Sequence, residues 1–137
     1  MTEALRRRRD DPEGGATSLE MVFYTPLLML VIFLTVQFAL SWHGNQIAGA
    51  VAREAARTAR AGGGTAQALT AAEARGTEYA AAIGGQALTD VSVEATAVGV
   101  DEVEVTVTGR AVEIVDGFAP RVSVTVRGPA EVFRPDV

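Results

Sequence analysis

The chain has 137 residues, enough for one domain, and it contains neither cysteine nor lysine, because all 12 basic residues are arginine. A disulfide framework, a thiolate zinc site, a P-loop and a lysine or cysteine nucleophile are therefore excluded. His43 is the only histidine, which excludes an acid/base pair of histidines. The formal net charge of −5 argues against general nucleic-acid binding. We expect no enzymatic activity, no cofactor, no metal site, no small-molecule substrate and no nucleic-acid partner.

An uncharged, strongly apolar stretch occupies residues 21–42. As a helix its 22 residues would extend about 33 Å, which matches a bilayer hydrocarbon core of about 30 Å. Its polar residues are few and scattered, whereas a buried helix of this length in a soluble protein normally shows a polar stripe. Trp42 at its end suits an interfacial anchor. The stretch predicts one transmembrane helix, with membrane lipid as a partner.

Four consecutive arginines, at residues 6–9, precede this stretch, and the first arginine after it is Arg53. Basic residues near a membrane span remain on the cytoplasmic side. We therefore expect a single-pass protein of the cytoplasmic membrane, with its amino terminus inside and everything after His43 outside.

An alanine-rich segment follows, interrupted by three glycines at residues 62–64. It predicts that the membrane helix continues to about Ala61 and that a second helix covers residues 65–83. Small residues recur every fourth position in the first part and would let another helix approach closely: Gly44, Ala48, Ala52 and Ala56. The arginines of this part favour a solvated helix face: Arg53, Arg57 and Arg60.

From Leu88 onward the apolar residues alternate with polar ones, which is typical of half-buried strands of an antiparallel sheet. Three strands are predicted around residues 91–97, 103–108 and 122–127, and a fourth at residues 110–115. The alanine-rich helices are the available cover for the apolar face of the sheet. The fold class is therefore α+β, a long amino-terminal helix, a second helix and a small sheet of three to four strands.

Glu20 directly precedes the apolar stretch, although a carboxylate near the membrane is costly unless it is neutralised. One interpretation is a capping box, in which Thr17 and Glu20 satisfy free amides at the helix start. The other interpretation comes from a resemblance.

A basic leader, Gly15, a small residue, Leu19-Glu20, Pro26 and the apolar span resemble the class III signal of type IV pilin-like proteins. With the small-residue helix Ala-Arg-Glu-Ala-Ala-Arg at residues 52–57, the pattern resembles the TadE-like family of tight-adherence pilus assembly proteins. The resemblance implies a pilin-like fold and cleavage by a prepilin peptidase between Gly15 and Ala16.

The resemblance also implies assembly roles for Glu20 and Pro26, and as partners the prepilin peptidase, other pilin-like subunits and the pilus assembly machinery of a bacterium. Glu20 would then be the fifth residue of the mature chain and would meet a neighbouring subunit's amino terminus. The chain is therefore predicted to have three parts. Residues 1–15 form a cytoplasmic basic leader, residues 16–61 form the membrane helix with its extension, and residues 62–137 form an extracytoplasmic α+β domain.

Three functional hypotheses follow. The first is a pseudopilin-like or minor-pilin component of a tight-adherence pilus or a related secretion apparatus. The second is a single-pass envelope protein whose outer domain binds another partner and has no filament role. The third is a secreted protein cleaved after Ala50 at the A-x-A-like site of residues 48–50, although its apolar stretch is longer than a signal peptide requires.

Overall fold

The computed structural model describes residues 13–114, 117 and 120–131, so the arginine run at residues 6–9 lies outside the described part. The chain divides into two compact units, Met1–Val36 and Gln37–Val137. The elements confirm the predicted α+β class and follow the chain in this order: α1 (Glu13–Ala61), α2 (Ala66–Gly84), β1 (Leu88–Val98), β2 (Glu102–Ala111) and β3 (Arg121–Pro129).

Helix α1 ends where the glycines were predicted to end it. Gly63 and Gly64 have φ values of +67° and +66°, a backbone conformation that residues other than glycine rarely adopt. The start of α1 differs from the capping-box interpretation, because the helix begins at Glu13 and Thr17 therefore lies inside it. Thr17 is not the N-cap residue in this structure, and the capping box is wrong.

Helix α2 begins at a capping residue. Thr65 has an extended backbone, and its hydroxyl oxygen accepts a hydrogen bond from the amide of Ala68 at 3.3 Å. The helix ends before Gly85. Its buried residues are all small and recur every fourth position: Ala68, Ala72, Gly76, Ala80 and Gly84. The predicted second helix is confirmed.

The sheet is antiparallel with the order β1-β2-β3. The central strand β2 shows the predicted period of two, with its three valines completely buried: Val103, Val105 and Val107. The predicted fourth strand at residues 110–115 is wrong. Residues 110 and 111 belong to β2, residues 112–114 are not in a strand, and residue 115 lies outside the described part of the chain. The carbonyl of Val112 and the amide of Ile114 bond instead to the side chain of Gln37.

The core of the second unit lies between the helices and one face of the sheet, as predicted. The small residues of α1 are part of it, with Ala48, Ala52 and Ala55 at 0% exposure. The opposite face is polar and carries a hydroxyl pair, Thr106 and Thr125, whose oxygens lie 3.0 Å apart. It also carries an ion pair between Arg127 and Glu104.

Two side-chain contacts connect α2 to its neighbours. The carboxylate of Glu54 on α1 lies 3.3 Å from the guanidinium of Arg75 on α2. Hydrogen bonds from Arg75 to Glu78 and Glu54 raise the pKa of Arg75. The backbone amide of Ala95 in β1 donates a hydrogen bond to the carboxylate of Glu73 on α2 at 3.0 Å.

The small residues of α1 permit a close approach, but at Gly44 the neighbour is a strand rather than the helix that the sequence predicted. A Cβ at Gly44 would lie 2.9 Å from Ala111 Cβ and 3.3 Å from the carbonyl oxygen of Ala87. Neither neighbour is the end of a flexible side chain. A methyl group at this position therefore requires the backbones to separate.

We predict that Gly44→Ala lowers the free energy of unfolding by about 1–3 kcal/mol, because overpacking outweighs the higher helix propensity of alanine. The matched control is Gly49→Ala on the same helix, where the nearest atom is Arg53 Nη1 at 3.3 Å, at the end of a flexible side chain. Denaturant unfolding followed by circular dichroism measures both. Equal stability of the two variants would contradict the close approach.

Candidate functional site

The first part of α1 exposes apolar side chains on all sides. From Leu19 to Phe38 its large apolar residues are 43–71% exposed. Soluble proteins rarely expose apolar patches this extensive. Helix α1 contains the one segment, among the described residues, that is long and apolar enough to cross a membrane, and this segment is not buried within the chain. The prediction of a membrane-spanning helix near the amino terminus is supported.

Three hydroxyl groups in this stretch are satisfied within the helix itself. Thr25, Thr35 and Ser41 each donate a hydrogen bond to the carbonyl oxygen four residues earlier, at 2.7, 2.8 and 2.8 Å. A polar group without a partner is costly in hydrocarbon. These side chains therefore suit a lipid environment as well as their apolar neighbours do.

Gln37 is the polar residue of the stretch that α1 does not satisfy. Its amide nitrogen donates to the carbonyl oxygen of Val112, and its amide oxygen accepts from the amide of Ile114, both at 3.3 Å. One side chain thus binds the backbone on either side of Glu113, as a neighbouring strand would. In the sequence Gln37 is one of a few scattered polar residues of the apolar stretch, and the presence of a long amide side chain there is the signal that could have indicated a distant partner.

The predicted processing residues, Gly15 and Ala16, lie near the start of α1. The predicted assembly residues lie further along the same helix, with Glu20 one turn after Ala16 and Pro26 inside the helix. The side chain of Glu20 is exposed, and within the described part of the chain it has no ion pair. The processing and assembly roles of these four residues stay predictions.

Pro26 lacks an amide hydrogen, so it cannot form the usual helical hydrogen bond to the carbonyl of Val22. Helix α1 nevertheless runs through this position without interruption. The preceding residue, Thr25, bonds the carbonyl of Met21 through its hydroxyl group. The helix therefore carries one weakened turn within its exposed apolar part.

The arginines of α1 do not converge on a common site. Arg57 pairs with Glu54 at 3.2 Å and is largely exposed, whereas Arg60 packs against Gly128 and lies 4.0 Å from Glu131. Within the part of the chain that the structure describes, no three histidine, aspartate or glutamate side chains are arranged to hold a metal ion. The exposed apolar surface of α1 is thus the feature that indicates an interaction with lipid or with another protein.

Residues 15–57, about a third of the chain, match the model of the family described as TadE-like protein. The match confirms the resemblance to this family, and it covers Gly15, Ala16, Glu20 and Pro26. No curated protein and no solved structure matches the chain. The family match supports an association with the tight-adherence pilus and, together with the apolar helix, attachment to a membrane.

We predict that Gln37→Ala leaves the amide of Ile114 and the carbonyl of Val112 without these partners and destabilises the segment around them by about 1–3 kcal/mol. Hydrogen exchange at the amide of Ile114 should therefore become faster. Gln46→Ala, at an exposed position of the same helix, is the control and should leave this rate unchanged. An unchanged rate in Gln37→Ala would show that the side chain does not hold the segment.

Proposed function

We propose that this protein is a pseudopilin-like or minor-pilin component of a tight-adherence pilus or a related secretion apparatus. The observation that carries the proposal is the long apolar surface of α1, which is exposed on all sides and lies within the segment that matches the TadE-like family. Such a helix can both anchor the chain in the membrane and pack against the helices of other subunits. In this role the chain is a structural component rather than an enzyme.

The proposal places the amino terminus in the cytoplasm and the sheet on the outer side, because the arginine run at residues 6–9 favours that orientation. A prepilin peptidase would then cut between Gly15 and Ala16. Glu20 would become the fifth residue of the mature chain, at the membrane boundary. Its carboxylate would pair with the amino-terminal ammonium group of a neighbouring subunit.

A single-pass envelope protein without a filament role would require neither the cleavage nor the charge pair. Its apolar helix would contact lipid alone, and Glu20 would be an ordinary solvated side chain. The two proposals therefore differ at Gly15 and Glu20, which the following variants test separately.

We predict that Gly15→Leu blocks maturation without affecting membrane insertion, because a peptidase of this kind requires a small residue at the cut. The wild-type chain should begin at Ala16 and the variant at Met1, as measured by mass spectrometry of the native amino terminus. Gly14→Leu is the matched control and should still be processed. A wild-type chain that retains Met1 in cells carrying the peptidase would contradict processing.

We predict that Glu20→Gln leaves the protein level and membrane location unchanged but abolishes pilus assembly. Glutamine keeps the size and hydrogen-bonding capacity of the side chain, but it leaves the neighbour's ammonium group unpaired away from water, at a cost of about 3–5 kcal/mol. Piliation is measured by electron microscopy of whole cells. Glu94→Gln, on the exposed polar face of β1, is the control for the loss of one charge. Normal piliation of Glu20→Gln would exclude the charge pair.

A further inference from the structure

Charge in the second unit is divided between α1 and the rest of the domain. Residues 37–61 contain three arginines and one glutamate, whereas residues 62–137 contain five arginines and eleven acidic residues. This part of the helix is therefore basic, and the remainder of the domain is acidic. Opposite charges on separate surfaces of one chain favour contact between two copies, because each copy brings both surfaces.

Two arginines one turn apart form a basic patch on α1, Arg53 and Arg57. Both are exposed, and they lie on the face of the helix opposite its buried residues. Arg53 forms no ion pair within the described residues, and its guanidinium covers Gly49, where a Cβ would lie 3.3 Å from Nη1. Arg57 pairs with Glu54 at 3.2 Å, but its side chain is 76% exposed. The basic patch is therefore available to an acidic partner.

The turn between β1 and β2, at residues 99–102, carries the acidic counterpart. Asp101 and Glu102 are adjacent and exposed, and neither forms an ion pair in the part of the chain that the structure describes. Val100, in the same turn, is 97% exposed. We call these four residues the acidic turn. It presents two carboxylates and an apolar side chain that have no described partner in the chain itself.

The acidic turn lies level with the carboxyl end of α1, because β2 runs alongside the helix in the opposite direction. At one end of the strand, a Cβ at Gly44 would lie 2.9 Å from Ala111 Cβ. At the other end, a Cβ at Gly64 would lie 3.0 Å from Val103 Cγ1. The acidic turn directly precedes this second contact.

The basic patch is displaced from the acidic turn in two directions. Arg57 and Arg53 precede Ala61, the last residue of α1, by four and eight residues, or about 6 and 12 Å along the helix axis. The sheet covers the buried face of α1, whereas both arginines lie on the opposite face. The body of the helix therefore separates the two charged surfaces within one chain.

We propose that the acidic turn of one copy of this chain binds the basic patch of the next copy. The proposal rests on the membrane anchor and the filament role in the proposed function, and it identifies a second copy as the partner. One membrane holds all copies with their α1 helices in the same direction. Since the two surfaces lie on opposite sides of α1, a two-fold pair cannot use both. A head-to-tail contact uses both and continues as an open row of copies.

The offset within one chain sets the arrangement of neighbouring copies. A copy must be shifted along α1 by about 6–12 Å before its acidic turn is level with the basic patch of its neighbour. Copies whose apolar stretches lie at the same depth in a membrane are not shifted in this way. The contact therefore forms when copies are displaced along α1 during filament assembly. Exposed ion pairs are individually weak, but the row repeats the contact at every copy.

The absence of lysine from the chain provides a direct test. Arg53→Lys keeps the charge and introduces one side-chain amine, which a carbodiimide couples only to a carboxylate in contact with it. In piliated cells that produce the full chain, this variant should give a ladder of cross-linked dimers, trimers and larger species. Mass spectrometry should locate the new bond at Asp101 or Glu102.

Arg75→Lys is the matched control, because the carboxylates beside it, Glu54 and Glu78, belong to the same chain. It should couple within the chain and give no ladder. Arg53→Lys should also give no ladder in cells that lack the assembly machinery, since their copies stay level. Three results would overturn the proposal: no ladder in piliated cells, an equal ladder without the machinery, or coupling to a carboxylate of a different protein.

Charge reversal tests whether assembly depends on the contact. Asp101→Lys/Glu102→Lys should lower the number of pili per cell roughly tenfold, because the contact becomes repulsive. Arg53→Glu/Arg57→Glu should have the same effect, and all four substitutions in one chain should restore piliation. Glu94→Lys, on the exposed face of β1, is the control and should leave piliation unchanged. Immunoblots of membranes establish that each variant reaches its normal level. Failure of the fourfold variant to restore pili would overturn the contact.

A deletion strain separates this inference from the function on which it rests. Unchanged piliation without the chain would overturn the filament role itself. Loss of piliation in the deletion strain, together with normal piliation in both charge-reversed variants, would overturn the contact between copies and leave the filament role in place.

Discussion

The outer domain depends on a close approach between the second part of α1 and the sheet, which only very small side chains permit. The buried α1 positions are mostly glycine and alanine, and the largest completely buried side chains of the domain are four valines: Val51, Val103, Val105 and Val107. A core of this kind buries little apolar area per residue, so its stability depends on dense packing. A single methyl group at Gly44 conflicts with atoms of Ala111 and Ala87 that cannot move independently.

Helix α2 completes this packing and also protects the sheet. The glycines after Ala61 let the chain reverse, and Thr65 begins a helix whose buried positions are again small. Through Glu73 it accepts a hydrogen bond from the outward-facing amide of Ala95, so part of the edge of β1 is already occupied. An open edge strand would be a template for pairing with another chain. The cover of the sheet and the protection of its edge therefore come from one element.

The apolar stretch of α1 contrasts with this core of small buried side chains. Its large apolar side chains are exposed, and its polar side chains are hydrogen-bonded. Threonine and serine hydroxyls bond to the preceding turn, whereas the longer glutamine side chain reaches the backbone of residues 112–114. That contact joins the end of β2 to the helix near Trp42.

The order of residues alone determined the elements that follow from periodicity and turn chemistry. The uncharged stretch predicted the exposed apolar helix, the three glycines predicted its end, and alternating valines predicted β1, β2 and β3. The resemblance carried by Gly15, Glu20 and Pro26 is confirmed by the family match, while the roles of these residues stay predictions. These signals are local, since each depends on neighbours within a few turns or one strand.

Only the tertiary structure decided what depends on residues far apart in the chain. Where a fourth strand was predicted, the carbonyl of Val112 bonds to Gln37, which lies 75 residues earlier in the chain. The close neighbour of Gly44 is a strand rather than a helix, and Arg110 and Arg121 face each other because the sheet register places them so. Periodicity shows which face of an element is apolar, but not which distant group satisfies a given backbone bond or charge. That choice is made when the elements pack.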